Sequence, residues 1–279
     1  MANRLAFLGP AGTYTEEAAL LYDPGADLQP LSTIAAVGLA VSSETTDQGV
    51  VPIENSLEGS VTFTLDLLIR ESGLSIFTEV VLPINHYLMA KPGTRVSDIQ
   101  VIYSHPQSLA QCREYLERRF PDAQQMASLS NSAAVSNMND SSLLAAAIGP
   151  KRAAELYGAE ILGKDIQDVA NNVTRFAVLA RHDHAPTGDD KTSICFSFHQ
   201  DAPGVLYRAM GEFATRNINL VKIESRPTKQ SLGQYIFLID CTGHRLDPLV
   251  RDAIEAVGRS VSMLKVLGSY PRWDAGASK

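Results

Sequence analysis

The chain has 279 residues, 45% of them apolar and 20% charged, with a formal net charge of −7. That length favours about two domains, and the apolar share suffices for sizeable cores. An acidic balance without a long basic run argues against a nucleic-acid partner, and no apolar stretch reaches membrane-spanning length. The N-terminus, Met1-Ala2-Asn3-Arg4, runs straight into Leu5-Ala6-Phe7-Leu8, which reads as a buried strand. With no signal peptide in front of it, the expected location is cytoplasmic.

Gly9-Pro10-Ala11-Gly12 makes a tight turn, and Thr13 opens a helix with Glu16 three residues on, a capping-box pattern. Tyr14, Ala18, Leu21 and Tyr22 share one helical face. A strand, a glycine turn and a helix start present backbone N–H groups that favour a carboxylate, although many α/β proteins carry such a turn for purely structural reasons. Gly49 to Ile53 reads as the next strand. It leads into Glu54-Asn55-Ser56-Leu57-Glu58-Gly59 and a helix with Val61, Leu65 and Leu68 inward. Asn55 and Ser56 therefore sit outside a strand's carboxyl end, where open α/β sheets place ligands, unless they cap the helix that follows.

Ile76 to Val81 and Ile84 to Met89 read as strands that carry the chain into a second lobe. There Val101-Ile102-Tyr103 precedes Ser104-His105-Pro106-Gln107, and a helix buries Leu109, Cys112, Leu116 and Phe120. His105 is either a proton donor or a polar cap. Ser130 to Ala134 opens another helix, Leu143 to Ile148 is a small-residue strand, and Pro150 starts a helix that Gly158 closes. Ile161 to Val169 leads back to Asn171-Asn172-Val173-Thr174-Arg175-Phe176, the entry to a buried strand continuing through Ala180. Alternation turns Thr174 and Phe176 to one face and Arg175 to the other. The repeated strand-turn-helix units predict a two-lobe binding fold with its ligand in the cleft.

Residues 183–191 read as a polar linker with Pro and Gly. His182, Asp183 and His184 are solvated residues here rather than the start of a metal site. Cys112, Cys195 and Cys241 are far apart and odd in number, so they fit core thiols of a reducing compartment. After the linker the order is βαββαβ: Ser193 to Phe198, Gly204 to Arg216, Asn219 to Ser225, Tyr235 to Asp240, Leu246 to Val257 and Val261 to Leu267. This is the order of a ferredoxin-like module.

Taken together, Gly9-Pro10-Ala11-Gly12-Thr13-Tyr14, Val51-Pro52-Ile53-Glu54-Asn55-Ser56, Ser104-His105-Pro106-Gln107 and Asn172 to Phe176 resemble the prephenate dehydratases, over nearly the whole chain. The C-terminal module, with Gly204-Val205-Leu206 and Glu224-Ser225-Arg226-Pro227, resembles an ACT domain. Thr15 and Val205 are conservative departures from those patterns. The resemblance implies a periplasmic-binding-protein-like catalytic domain over 1–182, with lobes of about 1–80 plus 158–182 and 81–157, and a regulatory ACT domain over 192–270. It implies conversion of prephenate to phenylpyruvate with loss of water and carbon dioxide, without cofactor or metal. Aromatisation of the ring drives that reaction, so no electron sink is required.

The same resemblance implies Thr174 as the catalytic residue. Gly12, Thr13, Asn55, Ser56, Gln107, Asn172, Arg175 and Phe176 then bind or orient substrate, with Ser130 and Ser132 as weaker candidates. Arg175 carries a fork suited to a carboxylate, yet alternation points it away from Thr174. Either the chain is irregular there or Arg175 braces the site from behind. For the ACT module the implied effector is L-phenylalanine, at Gly204, Val205, Leu206, Asn219, Leu220, Glu224 and Ser225, in a homodimer or tetramer. The alternatives are an arogenate dehydratase and a non-catalytic two-lobe small-molecule sensor. A chorismate mutase fusion is disfavoured, because no long helical segment precedes residue 1.

Overall fold

The structure is a computed structural model that describes residues 2–71, 73–228 and 234–273. Strands and helices alternate from the start: β1 (Arg4–Leu8), α1 (Tyr14–Tyr22), β2 (Asp27–Leu31), α2 (Ile34–Ser42), β3 (Gln48–Asn55), the short β4 (Gly59–Ser60), α3 (Thr62–Arg70) and β5 (Ser75–Pro83). There follow β6 (Tyr87–Ala90), β7 (Val101–Ser104), α4 (Pro106–Gln111), α5 (Arg113–Arg119), β8 (Gln124–Ala127), α6 (Asn131–Asp140), β9 (Ala145–Gly149), α7 (Lys151–Tyr157) and β10 (Glu160–Gly163). The chain then returns as β11 (Val173–Ala180) to the first sheet, whose order is β2-β1-β3-β11-β5, with β4 paired to β3. The return sets β11 beside β3 and so brings together Thr174 and Asn55, which are far apart in sequence.

The second sheet, β10-β6-β9-β7-β8, is mixed: β7 pairs parallel with β8 and β9, whereas β6 pairs antiparallel with β9 and β10. Its core joins Leu88, Met89 and Ile102 to Cys112, Leu116, Val135 and Met138 of the helices. Ala145, Ala146 and Ala147 of β9 are buried, and their small side chains let helices approach closely. Two-lobe sheets of this kind bear out the expected periplasmic-binding-protein-like α/β class. Several elements escaped the sequence reading. β2 and α2 lie in a stretch it left unassigned, and β8 is an exposed edge strand with no apolar alternation. The helix expected after Pro106 breaks at Cys112 into α4 and α5. The strand expected over Ile84 to Met89 begins only at Tyr87.

The remaining elements are β12 (Asp190–Ser197), α8 (Val205–Ala214), β13 (Leu220–Pro227), β14 (Tyr235–Thr242), α9 (Pro248–Gly258) and β15 (Met263–Pro271). They form the expected βαββαβ module, with the antiparallel order β13-β14-β12-β15. Alternation along β12 sends Ile194 and Phe196 into a core with Ala209, Phe213, Ala253 and Val257 of the two helices. Lys191 and Ser193 take the other face. There the Lys191 ammonium is 2.7 Å from the Glu79 carboxylate, both side chains being buried. Ser193 donates to Asp240 at 2.6 Å and lies 2.7 Å from the Tyr270 hydroxyl.

By internal contact the chain divides into two compact units. One joins Met1–Val37, Val50–Val61 and Val80–Phe176; the other joins Gly38–Gly49, Thr62–Glu79 and Ala177–Lys279. The regulatory module therefore shares its unit with α3, instead of standing alone after a linker. Lys265 Nζ caps the end of α3, donating to the carbonyls of Leu68 at 2.5 Å and Glu71 at 2.6 Å. Arg226 reaches the start of α3, donating to the Thr62 carbonyl at 3.2 Å and the Asp66 carboxylate at 3.1 Å. The expected linker is likewise anchored: Asp183 pairs with Arg245 at 2.8 Å, His182 and His184 pack on Phe77, and Asp190 and Lys191 already belong to β12.

All three cysteines are free and buried. Burial pushes the thiols of Cys112 and Cys241 up to about 12 and that of Cys195 up to about 11. Among the described residues no helix is long and apolar enough to cross a membrane.

Candidate active site

Asn55 ends β3 and Thr174 is the second residue of β11, its sheet neighbour. The Ser56 N–H donates to the Val173 carbonyl at 2.9 Å, and Ser56 Oγ accepts from the Val173 N–H at 3.0 Å, which ties the two strand ends. Asn55 Oδ1 accepts the backbone N–H groups of Leu57 at 3.0 Å and Glu58 at 3.1 Å. Backbone N–H groups can only donate, so they fix which end of the amide is oxygen. Asn55 Nδ2 must then donate to Thr174 Oγ1 at 2.9 Å and to Asn172 Oδ1 at 2.7 Å. The Thr174 oxygen is thereby an acceptor, and its own proton remains available. No described residue accepts that proton.

A cavity of about 460 Å³ opens at this point. Thr174, Phe176, Asn172 and Asn55 line it from the first sheet, and His105, Gln107, Ser108, Ser130 and Asn131 from the second. The starts of α1, α4 and α6 converge on it. Thr13 accepts the Glu16 N–H at 3.4 Å, His105 Nδ1 the Gln107 N–H at 3.3 Å, and Ser130 the Ala133 N–H at 2.9 Å. These residues are thus true N-caps and wall residues at once. The first-turn N–H groups that a helix leaves unpaired, with the positive end of its dipole, favour an anion in the cavity. No Arg or Lys is among its lining residues, and Glu58 is. A carboxylate here would be held by hydroxyls, amides and helix starts.

Of the residues read from the sequence, the cavity collects Thr13, Asn55, Gln107, Asn172, Thr174 and Phe176, with Ser130. Four lie elsewhere, Gly12, Ser56, Ser132 and Arg175. The Gly12 N–H, expected to meet a substrate carboxylate, donates to Glu16 Oε2 at 2.5 Å, so the turn already holds its own anion. The Glu16 side chain reaches Gly12 rather than closing a capping box on Thr13. Gly12 itself adopts φ +82°, and Ser132 Oγ lies 2.9 Å from where a Cβ would stand, which is why glycine is required. Ser132 donates to the Ala11 carbonyl. Ser56 is a strand tie, as above. Arg175 follows strand alternation away from Thr174, and its Nε lies 3.6 Å from Glu54 Oε2. Of the two options left open, an irregular chain is not what β11 shows, since it runs unbroken from Val173 to Ala180.

In the regulatory module, Gly204 is the N-cap of α8 at φ +81°, with no side-chain cap of its own. Leu206 and Leu220 pack against the module's core. The Asn219 carbonyl accepts the Thr242 N–H at 2.9 Å. Glu224 lies 3.4 Å from Lys222, and as its strand neighbour Ser225 faces the opposite side of β13.

Sequence reading missed His86, Tyr14 and Gln111, all of which line the cavity. His86 Nε2 is 2.9 Å from Gln111 Oε1, and Gln111 Oε1 also accepts Asn172 Nδ2 at 3.3 Å. The Tyr14 hydroxyl is 2.8 Å from both His86 Nδ1 and the Asn85 carbonyl. The signal was a polar pair, Asn85-His86, inside an apolar run. Tyr14 had been assigned to a helical core face, and Gln111 sits beside Cys112 on a helix read for its apolar positions. Burial pushes the His86 imidazole below the ordinary histidine value, against the Gln111 hydrogen bond, and lowers that of His105 as well. Burial also drives the Tyr14 phenol well above its usual range, so it stays protonated.

The family model for prephenate dehydratase matches residues 5–184, and that for the ACT domain matches residues 193–259. The bifunctional chorismate mutase/prephenate dehydratase of Aquifex aeolicus is 40% identical over 270 residues, which are 96% of this chain and 74% of that protein. The prephenate dehydratase of Mycobacteroides abscessus is 37% identical over 280 residues, 97% of this chain and 90% of that one. A crystal structure of prephenate dehydratase from Arthrobacter aurescens in complex with L-Phe superposes with a TM-score of 0.89 at 38% identity, covering 96% of this chain and 90% of that chain. With the family model spanning well over half of the chain and relatives of this similarity, the chain belongs to the prephenate dehydratase family.

Proposed function

We propose that the protein converts prephenate to phenylpyruvate and that Thr174 assists departure of the ring hydroxyl. The observation that carries this reading is the direction of the Asn55–Thr174 hydrogen bond, which leaves the threonine proton to be donated. In the reaction the bond from the ring to its carboxylate breaks and carbon dioxide leaves. The electron pair moves into the ring, and the opposite C–O bond breaks to give an aromatic ring. The leaving oxygen gathers negative charge and departs as water, taking a proton that comes ultimately from solvent. A threonine hydroxyl is too weak an acid to give its proton up freely at neutral pH. It serves as a fixed donor whose hydrogen bond strengthens as that charge grows, which lowers the barrier rather than tightening ground-state binding.

The two substrate carboxylates fit the α1 and α6 starts and the side chains of Thr13, Gln107 and Ser130. Phe176 supplies an apolar wall, and Asn172 Oδ1 accepts from Asn55 Nδ2 beside Thr174. Purified protein incubated with prephenate and, separately, with arogenate should form phenylpyruvate from the former faster than phenylalanine from the latter. Folded protein that turns over neither substrate leaves only the sensor reading, and a preference for arogenate reassigns the substrate.

The same proposal makes L-phenylalanine the effector of the C-terminal module, supported by the Arthrobacter complex and by the uncapped turn at Gly204. An N-terminus without a side-chain cap offers donors to a carboxylate. We also propose a homodimer or larger homo-oligomer. The edge strand β13 exposes Val221 and Ile223, and its partner β14 exposes Tyr235, an apolar edge that pairing would cover. Phenylalanine should change both prephenate turnover and the sedimentation coefficient of the full chain, since a ligand shifts an equilibrium only by preferring one state. Unchanged turnover at saturating phenylalanine would sink the regulatory reading. Three buried reduced thiols support a cytoplasmic placement.

A further inference from the structure

Gln111 is an oddity of the cavity wall. Its Nε2 is buried and finds no acceptor among the described residues. Rotating the amide by half a turn would bring that nitrogen to His86 Nε2, an available acceptor if the imidazole carried its proton on Nδ1. A complete chain would then run on from His86 Nδ1–H to the Tyr14 oxygen and from the Tyr14 hydroxyl to the Asn85 carbonyl, both at 2.8 Å. Two polarities therefore compete for the same side chains.

From one end, the Leu57 and Glu58 N–H groups fix Asn55, whose Nδ2 fixes Asn172 Oδ1, so that Asn172 Nδ2 faces Gln111. From the other end, the Asn85 carbonyl favours the reverse. The two meet at Gln111. An amide nitrogen turned towards Asn172 Nδ2 would oppose donor to donor, and only the orientation with Oε1 inward accepts from Asn172 and His86 together. We propose that His86 is a positioning residue for the dehydration: with its hydrogen on Nε2 it holds Gln111 Oε1 towards Asn172, and through Gln111 and Asn172 it steadies the Asn55 amide, whose direction the Leu57 and Glu58 N–H groups already set, beneath Thr174.

His86 touches Thr174 only through this relay, so it is not itself a catalytic group. Burial keeps the ring uncharged, which leaves the lone pair on Nδ1 to the Tyr14 hydroxyl. The Gln167 side chain accepts the His86 backbone N–H at 2.9 Å, and the two imidazole nitrogens face Gln111 and Tyr14. Loss of the Nε2 donor should let Gln111 rotate and loosen Asn172, so that the Asn55 amide, though still directed by the Leu57 and Glu58 N–H groups, holds Thr174 less tightly in place. Substrate contacts at the helix starts would be unaffected.

The inference rests on the dehydratase reading for its kinetic arm only. In 15N-labelled full-length protein at neutral pH, the imidazole resonances absent from the His86→Gln spectrum should show the neutral Nε2–H tautomer. An Nδ1–H tautomer overturns the proposal whether or not the protein turns over prephenate. In the kinetic arm, His86→Leu should lower kcat about tenfold with KM changed less than about twofold, as expected for losing one hydrogen bond that acts through orientation. His86→Gln restores a donor near the Nε2 position and should recover most of that loss. Equal losses in both variants, or full activity in His86→Leu, overturn the positioning role. Absence of turnover in the parent protein strikes at the dehydratase reading instead and leaves the tautomer test standing.

Discussion

Thr174→Val should lower kcat about a hundredfold or more with KM nearly unchanged, the scale observed when one preorganised donor to a developing charge is removed. The exchange is close to isosteric, and Thr174 is a buried strand residue, where valine is well tolerated. Asn55 Nδ2 loses one acceptor but keeps Asn172 Oδ1 and the Val173 carbonyl. The fold should therefore survive, as circular dichroism and thermal melting can check. A kcat within a few-fold of the parent would remove Thr174 from the reaction. The split between kcat and KM matters as much as the size of the loss, because a ground-state contact would raise KM instead.

Asn55→Asp should be nearly as damaging, about a hundredfold in kcat/KM, although it alters only one end of one side chain. One carboxylate oxygen still accepts the Leu57 and Glu58 N–H groups. The other can no longer donate, so the Thr174 hydroxyl turns to donate to it and its proton is withdrawn from the cavity. The new charge also stands where a dianionic substrate must bind. Because Asn172 Oδ1 then faces an acceptor at 2.7 Å, Asn172 and Gln111 should rotate in turn and move the His86 proton to Nδ1. Activity within tenfold of the parent, with the imidazole tautomer unchanged, would show that Asn55 does not set the direction of the network.

Much of this architecture is legible in the amino-acid sequence. Strand alternation placed Thr174 and Phe176 on one face and Arg175 on the other, and the βαββαβ order of the regulatory module follows from spacing alone. Periodicity reports which face of an element is buried, so it succeeds where burial is regular. It failed at β8, which is exposed, and at Ile84 to His86, which precede β6 and belong to no strand. Anion-binding turns are read from backbone shape, and the shape at Gly12 was as expected. What the shape omits is the Glu16 side chain that occupies it. His86 and Gln111 were missed for a related reason: their importance lies in hydrogen bonds across the fold, and a single polar residue in an apolar segment does not announce its partners. The expected linker is free of helix and strand from Asp183 to Asp189, but its composition does not show that Asp183 is ion-paired or that Asp190 and Lys191 are buried in β12.

The three cysteines carry a practical consequence. A thiol held to pKa values of about 11 or 12 is almost wholly protonated near neutrality, and the thiolate is the form that reacts with maleimides and disulfide reagents. All three are also buried, out of a reagent's reach. A single cysteine introduced on an exposed site is therefore the one position that will label. Fluorophores or spin labels can be installed in either compact unit without first deleting the native thiols, so that the response to phenylalanine can be followed in an otherwise unaltered chain.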